Sequence, residues 1–287
     1  MTTSFGDRLL EAFGAHGQLC VGIDPHPFLL DSWGLANTAA GLREFALQVV
    51  DAAAGQVGIV KPQVAFFERF GADGYRVLEE VIRSARAAGL LVIADAKRGD
   101  VGSTVEAYAE AWLAPGGALE ADAMTVSAYL GVDSLAVPIA RALASGKGLF
   151  VLGATSNPES FELQRSIVQS GPTAGSTVAA SIVEDVATIN ERAGIATCGS
   201  IGVVLGATVD LADYGIELTR LSAPVATPVL APGFGHQGAS FDQLRDRFGP
   251  AADHVVVSAS RSILTAGPVG IATAVRTQAR EVARWRE

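Results

Sequence analysis

Short apolar runs alternate with longer amphipathic stretches along the whole chain, and this alternation predicts the fold. The apolar runs are typical of buried strands and lie near Leu19–Asp24, Val57–Lys61, Leu91–Asp95, Ala121–Thr125, Gly148–Gly153, Ile201–Leu205, Pro228–Ala231 and His254–Val257. Helical patterns separate most of them, at Ala39–Ala54, Tyr75–Ala88, Ser134–Ala144, Thr177–Ala193, Asp210–Leu221 and Val269–Arg284. Eight strand–helix units in 287 residues predict an α/β fold, a (β/α)8 TIM barrel forming a single domain over residues 1–287. A doubly wound sheet is the alternative.

Two local patterns refine this prediction. The stretch Asn157–Ser176 fits neither strand nor helix, and we predict an insertion or a mobile loop at the barrel mouth. The sequence Ser-Thr-Val-Glu at Ser103–Glu106 predicts a capping box, with Ser103 as the N-cap and Glu106 at N3. Asp100 then lies in the turn before that helix, where an acidic residue is also common for local reasons alone.

Charged residues end the first three predicted strands. Asp24 ends the first strand, Lys61 the second, and Asp95 with Lys97 the third, while Asp100 follows on a loop. Side chains alternate along a strand, so Asp95 and Lys97 point to the same side. Because the strands of a barrel end at one face, we expect these five charges to form an array in which each neutralises its neighbours. A salt-bridge network that merely closes the barrel mouth is the alternative.

The last two predicted strands lead into loops of a different composition. Strand seven continues as Ala231–Gly238, which is rich in glycine, and strand eight as Val257–Ile263, which contains Arg261. Glycine lets backbone N–H groups approach a ligand, and arginine binds phosphate with two hydrogen bonds. We therefore predict a phosphate site here. Strand five ends at a turn containing Ser156, which a simple hydroxyl turn also explains.

Composition limits the partners. The formal net charge is −9 and no run of Lys and Arg occurs, which argues against a nucleic acid partner. The four histidines are scattered, and Cys20 and Cys198 lack metal-ligand spacing, so we expect no metal site and a reducing, cytoplasmic location. Residues Met1–Glu11 show no signal peptide, and no apolar run is long enough to span a membrane.

The segment Asp95-Ala96-Lys97-Arg98-Gly99-Asp100 after a buried strand resembles the catalytic array of the orotidine 5'-phosphate decarboxylase family. The run Ala123–Ser134 is similar to the fourth strand and following loop of the longer bacterial subgroup. The resemblance implies a cytoplasmic lyase that needs neither metal nor cofactor. It would convert orotidine 5'-phosphate to uridine 5'-phosphate (UMP) and CO2, the final step of de novo UMP synthesis, as a homodimer with shared active sites.

The resemblance also implies a role for each matching position. Lys97 protonates C6 as CO2 leaves, Asp95 lies against the substrate carboxylate, and Asp100 reaches across the dimer interface. The other implied positions are Asp24 and Lys61 at the ribose hydroxyls, Thr104 at the ribose in the partner's site, Ser156 at the pyrimidine edge, Gln237 between base and phosphate, Arg261 at the phosphate, and Pro232, Gly235 and Ser260 in the adjoining loops.

The sequence leaves three alternatives to the decarboxylase function. A related sugar-phosphate barrel could carry a similar Asp-x-Lys-x-x-Asp but would use a metal ion and an enediolate, so a chelator distinguishes it. A Schiff-base aldolase is disfavoured, because flanking carboxylates keep Lys97 protonated and non-nucleophilic. A phosphate-ligand-binding barrel without catalysis would bind a nucleotide and not turn it over.

Overall fold

Eight parallel strands close into a barrel in chain order, and the last strand pairs with the first. The computed structural model describes residues 3–194, 197–235 and 238–284. The strands are β1 Leu19–Ile23, β2 Ile59–Pro62, β3 Leu91–Arg98, β4 Ala123–Val126, β5 Gly148–Ala154, β6 Ile201–Leu205, β7 Val229–Pro232 and β8 Val255–Ala259. The closed order confirms the (β/α)8 prediction and excludes the doubly wound sheet.

Helices surround the barrel and close its base. The α-helices of the described residues are α1 Phe5–His16, α2 Pro27–Ser32, α3 Ala39–Ala53, α4 Val64–Glu68, α5 Gly71–Ala87, α6 Gly102–Leu113, α7 Ala136–Ala144, α8 Phe161–Gln164, α9 Val178–Arg192, α10 Leu244–Phe248, α11 Arg261–Leu264 and α12 Gly267–Ala283. Short 3-10 turns occur at Val132–Leu135, Pro158–Ser160, Leu211–Tyr214, Leu218–Leu221, Phe241–Gln243 and Gly249–His254. Within the described ranges, no helix has both the length and the apolar character that crossing a bilayer requires.

The barrel interior is filled in alternating layers. Inward positions of the strands, such as Cys20, Ile59 and Phe150, form one apolar cluster with side chains of α1. Phe5 of α1 meets Phe150 edge-on, with ring centroids 5.9 Å apart. Because α1 closes the base in this way, the opposite face, where the strands end, is the open one.

Two helix predictions were wrong. A single helix was expected at Asp210–Leu221, but the chain forms two 3-10 turns there. They are separated at Gly215, whose φ of 65° lies in the left-handed region and ends the helical path. The capping box at Ser103 is also absent: α6 begins at Gly102, and Val101 takes the N-cap position without a side-chain cap.

The Asn157–Ser176 segment contains regular structure. It consists of a 3-10 turn, helix α8 and an isolated antiparallel bridge between Ile167 and Thr177. The backbone N–H of Val178 donates to the carbonyl of Ser166 at 2.9 Å, which ties the end of the segment to α9. The segment therefore forms a defined wall at one side of the barrel mouth.

Candidate active site

A cavity of about 690 Å3 opens at the carboxyl ends of the strands. Every strand, or the loop that follows it, contributes to its wall. Apolar side chains of Leu152, Val204 and Leu230 line one part, and charged side chains line another. A mostly apolar pocket with a few convergent polar groups is the usual form of a small-molecule site.

Asp95 lies between two lysines in this cavity. Lys61 Nζ is 2.8 Å from Asp95 Oδ2, and Lys97 Nζ is 2.5 Å from Asp95 Oδ1. Lys61 and Asp95 are buried, whereas the Lys97 side chain is 45% exposed. The predicted alternation of charges across β2 and β3 is therefore present, and Lys97 is the member that faces the cavity opening.

Charge pairing overcomes burial in setting these protonation states. Burial alone would raise the pKa of Asp95, but the ammonium groups of Lys61 and Lys97 hold that pKa well below its usual range. Burial alone would lower the pKa of Lys61, but Asp95 and Asp24 raise it above its usual value. Asp95 is thus a carboxylate and Lys61 an ammonium at neutral pH.

Thr125 is a residue of the site that sequence reasoning missed. Its hydroxyl donates to Asp95 Oδ1 at 2.9 Å and accepts the backbone N–H of Lys97, also at 2.9 Å. Thr125 is 1% exposed and lies on β4 beside the charged strand ends. The sequence did contain a signal for Thr125. It lies two residues after Ala123, which faces the barrel interior, so a polar side chain falls at an inward position.

The backbone of Lys97 is strained. Its φ of 48° is the one positive value at a non-glycine among the residues the structure describes. The register of β3 against β4 shifts between Ala94 and Arg98, and the Arg98 guanidinium donates to the carbonyl of Ala96 at 2.9 Å. Such strain costs on the order of 1–3 kcal/mol and is concentrated at functional sites.

Asp24 follows β1 and lines the same cavity. Its Oδ1 atom is buried and has no hydrogen-bond partner within the part of the chain that the structure describes. A buried carboxylate oxygen without a donor is costly. Asp24 is therefore suited to accept a hydrogen bond from a hydroxyl group of a ligand in the cavity.

Arg261 and the loop after β7 form another part of the cavity wall. Arg261, Ser260 and Pro232 line it, and Arg261 lies 5.7 Å from the ring centroid of Phe28. Gly235 has a φ of 75°, and a Cβ there would lie 2.8 Å from Ser262 Oγ, so the loop requires glycine at this position. Gly235 does not itself line the cavity. Gln237, a predicted site residue, lies outside the described residues.

Asp100 and Thr104 are two further predicted site residues that do not line this chain's own cavity. Asp100 is half-buried, and its Oδ1 accepts the backbone N–H of Val101 at 2.8 Å. Thr104 is exposed on α6. Apolar side chains on the same and adjoining loops, Val101 and Tyr129, are 54% and 76% exposed. Asp100 and Thr104 therefore border an exposed, partly apolar surface beside the cavity.

The last predicted site residue, Ser156, is exposed at the cavity wall after β5. His26, which was not predicted, also lines the cavity, with its ring 4.2 Å from that of Phe66. Burial lowers the pKa of His26 from its ordinary value. In the described ranges, no group of three His, Cys, Asp or Glu residues is arranged to hold a metal ion.

Sequence comparisons identify bacterial relatives. A protein of Salinispora tropica named orotidine 5'-phosphate decarboxylase is 50% identical over 265 residues, covering 92% of this chain and 91% of the relative. A Streptomyces coelicolor protein of the same name is 48% identical over 276 residues, covering 96% and 94%. These relatives confirm the similarity to the bacterial subgroup.

Structural comparison gives the same result. A Streptomyces avermitilis structure described as an orotidine 5'-phosphate decarboxylase matches with a TM-score of 0.91 at 46% identity, covering 99% of this chain and 96% of the other. The Leishmania donovani OMP decarboxylase structure matches with a TM-score of 0.77 at 32% identity, covering 99% of both chains. The family described as "Orotidine 5'-phosphate decarboxylase / HUMPS family" matches residues 17–274. The chain belongs to this family.

Proposed function

We propose that the protein converts orotidine 5'-phosphate to UMP and CO2 in the last step of de novo UMP synthesis, without a metal or cofactor. The observation that carries the proposal is the contact of Lys97 with Asp95 in a cavity that Arg261, three strands away around the barrel, also lines. An ammonium group after β3 and an arginine after β8 match the reacting carboxylate and the phosphate of this substrate. Family membership supplies the reaction type.

Lys97 acts as the proton donor in this proposal. The bond between C6 and the carboxylate carbon breaks, CO2 leaves, and the electron pair stays at C6. The Lys97 ammonium stabilises that charge and transfers a proton to C6, and the resulting amine regains a proton from solvent. Asp95, which remains ionised beside it, faces the substrate carboxylate and disfavours the bound reactant relative to the transition state.

The remaining cavity residues bind the substrate. Lys61 fixes the orientation of Asp95. It also donates a hydrogen bond to a ribose hydroxyl, and Asp24 accepts one from a ribose hydroxyl. Arg261 binds the phosphate with the loop amides near Ser260 and Gly235, and Pro232 shapes the adjoining wall. Gln237 takes the bridging position between base and phosphate. Binding energy from the phosphate, which is remote from C6, can then serve to orient the reacting end.

We also propose a homodimer in which each subunit completes the partner's site. Asp100 and Thr104 lie outside their own cavity and beside exposed apolar side chains, Val101 and Tyr129. A second copy covering this surface would bring Asp100 towards the partner's Lys97. Mixing Lys97→Ala with Asp100→Ala subunits should restore some turnover in hybrid dimers. If hybrid dimers form but show no turnover, the active site is not shared between the subunits.

A cytoplasmic location completes the proposal. Cys20 and Cys198 are both free cysteines. Unpaired thiols are typical of proteins from reducing compartments.

The reaction is tested by ultraviolet absorbance of orotidine 5'-phosphate mixed with purified protein and excess EDTA. Conversion to UMP at an undiminished rate supports the proposal and a metal-independent mechanism. Loss of turnover with EDTA, restored by Mg2+, would indicate metal-dependent chemistry instead. Binding without conversion, measured by calorimetry, would indicate a non-catalytic barrel.

A further inference from the structure

The segment between β5 and α9 carries a side chain that reaches back to the active-site turn. Gln164, the last residue of α8, is half-buried and lies at the cavity wall. Its amide binds Thr155, the residue directly before Ser156. We infer that Gln164 is a positioning residue that fixes the turn after β5 so that Ser156 faces the base of the substrate. The inference rests on the proposed function, in which Ser156 contacts the pyrimidine edge.

The contact between Gln164 and Thr155 is reciprocal. The backbone N–H of Thr155 donates to Gln164 Oε1 at 2.9 Å, and Gln164 Nε2 donates to Thr155 Oγ1 at 3.0 Å. The Thr155 hydroxyl in turn donates to Asn157 Oδ1 at 2.8 Å, and Ser160 Oγ donates to the Thr155 carbonyl at 3.2 Å. Every polar group of Thr155 is therefore bound by the segment that begins at Asn157.

The other side of the turn is held by β6. The backbone N–H of Gly206 donates to the carbonyl of Ala154 at 2.8 Å. A Cβ at Gly206 would lie 3.4 Å from both the Cβ and the backbone nitrogen of Ser156, so Ser156 packs closely against this glycine. Ser156 is thus located between the end of β6 and the Gln164 contact. Its hydroxyl makes no hydrogen bond to another described residue and is available to a ligand.

Helix α8 is itself anchored, which makes it a suitable support. The Phe161 ring meets the Tyr214 ring edge-on, with centroids 5.9 Å apart. The Thr177 hydroxyl donates to the carbonyl of Tyr214, and Val178 N–H donates to the Ser166 carbonyl. The Tyr214 contacts attach the segment to the structure after β6, and the Val178 contact attaches it to α9. A change at Gln164 therefore frees the turn and not the whole segment.

Replacement of Gln164 by Ala leaves the Thr155 N–H without its partner and removes the donor to the Thr155 hydroxyl, which keeps its bond to Asn157. We expect kcat/KM for orotidine 5'-phosphate to fall about tenfold, because small misplacements of a positioning group already cost that much or more. We also expect a matching loss of affinity for UMP. Affinity for ribose 5-phosphate, which lacks the base, should remain unchanged because Arg261 and Asp24 are untouched.

A double-mutant cycle separates positioning from direct contact. Steady-state kinetics are measured for Gln164→Ala, Ser156→Ala and the double variant. If Gln164 acts through Ser156, the double variant is no slower than Ser156→Ala alone. Gln169→Ala is the matched control, because the side chain of this exposed glutamine in the same segment contacts, among the described residues, only the carbonyl of Ile167. The control should behave as the unmodified protein does.

Several outcomes would overturn the inference. Additive losses in the double variant would mean that Gln164 acts independently of Ser156. An equal loss of ribose 5-phosphate affinity would indicate general distortion of the cavity. If Gln164→Ala does not fold, Gln164→Glu, which keeps the acceptor for Thr155 N–H, replaces it in the same cycle. Normal kinetics of Ser156→Ala would refute the inference while turnover of orotidine 5'-phosphate by the unmodified protein still supported the proposed reaction.

Discussion

The barrel holds two clusters of paired acidic and basic side chains, one at its mouth and one at its base. The mouth cluster consists of Asp24, Lys61, Asp95 and Lys97, and the base cluster of Arg8, Arg86, Glu120, Asp122 and Lys147. Both contain carboxylates that are largely withdrawn from solvent and lie within 3 Å of a cation. By charge and burial alone, either cluster could be taken for an active site.

The base cluster is complete in its hydrogen bonding. Lys147 Nζ is 2.6 Å from Glu120 Oε1, and Arg8 Nη1 is 2.6 Å from Asp122 Oδ1. The second oxygen of Glu120 accepts the backbone N–H of Gly116 at 2.8 Å, and that of Asp122 accepts Val92 N–H at 3.0 Å. Each carboxylate oxygen therefore has a donor within the cluster's own surroundings.

The mouth cluster is incomplete and strained. Asp24 Oδ1 lacks a donor among the described residues, Lys97 has a positive φ, and both line an open cavity. The difference teaches that buried ion pairs alone do not identify an active site. An unsatisfied polar atom and a strained backbone, facing a cavity, distinguish groups arranged for a ligand from groups arranged for the fold.

The largest expected effect follows from replacing Lys97 by Ala. Turnover of orotidine 5'-phosphate should fall by about 10⁴-fold or more, the upper end of what a single proton donor supplies. The free energy of unfolding, measured with urea, should change by no more than about 1 kcal/mol, the centre of the usual range for single substitutions, because Asp95 keeps Lys61 and Thr125 as partners. Near-normal turnover of this variant would contradict the assigned mechanism.

Lys147→Met should produce the opposite result. Removing one partner from a buried ion pair costs roughly 3–5 kcal/mol, so urea unfolding should show a stability loss of about 3 kcal/mol, while kcat of the folded variant stays unchanged. The control is Arg76→Ala, which removes an exposed pair with Asp73 and should cost less than about 1 kcal/mol. A large loss of kcat with normal stability would erase the distinction between the two clusters.

Arg261→Ala tests whether this side chain binds the phosphate of the substrate. KM for orotidine 5'-phosphate should rise about 10- to 100-fold, because hydrogen bonds to charged groups contribute roughly 1.5–3 kcal/mol. Reaction of orotidine, which lacks the phosphate, should be as slow with the variant as with the unmodified protein. Equal damage to both substrates would place Arg261 outside phosphate recognition.

Thr125→Val tests whether the hydroxyl positions the catalytic pair. The change keeps the shape but removes the donor to Asp95 and the acceptor for Lys97 N–H. We expect kcat to fall about tenfold with KM little changed, since a displaced catalytic group loses rate steeply. Thr125→Ser, which retains the hydroxyl, should recover most of the rate. If kcat of Thr125→Ser is as low as that of Thr125→Val, Thr125 has only a packing role.

The smallest effect concerns acid stability of the base cluster. Burial alone would raise the pKa of Glu120. Hydrogen bonds from Lys147, Gly116 and Arg86 outweigh this effect and lower the pKa from 4.5 to about 2. A lowered pKa stabilises the fold above pH 4.5, and this contribution disappears as pH falls towards 2. The free energy of unfolding should therefore fall less between pH 4.5 and 2 in Glu120→Gln than in the unmodified protein. We expect a difference of about 1 kcal/mol, because solvent screening weakens the ion pairs of Glu120. An unchanged pH dependence would contradict the cause given for the shift.

The strands and the charged strand ends were predictable because both depend on local pattern. An apolar run of about five residues marks a buried strand, and a charge at its end, as at Lys61 or Asp95, then falls at the barrel mouth. The role of Thr125 was not predictable in this way, since it depends on a contact between β3 and β4. The strained φ of Lys97 likewise results from the register shift between these strands.

The wrong capping-box prediction and the lack of a clear pattern in the Asn157–Ser176 segment have local causes of the same kind. The Ser103–Glu106 sequence fits a capping box, but Gly102, with its φ of 57°, allows the helix to begin two residues earlier than that box predicts. The segment after Asn157 has no periodic pattern because its helix is only four residues long. Its order comes from contacts such as that of Gln164 with Thr155, which no sequence pattern records.

The central claim is that the ammonium group of Lys97 donates the proton, and aminoethylation tests it directly. Lys97→Cys should be inactive, and treatment with 2-bromoethylamine should restore turnover, because it rebuilds an ammonium side chain of lysine length. The two native thiols are buried, with pKa values raised to about 12, so they react slowly, whereas position 97 is 45% exposed in its side chain. Treatment with bromoethane, which adds no amine, should restore nothing. Complete modification at position 97 without recovery, or full activity of the untreated Cys variant, would contradict the account.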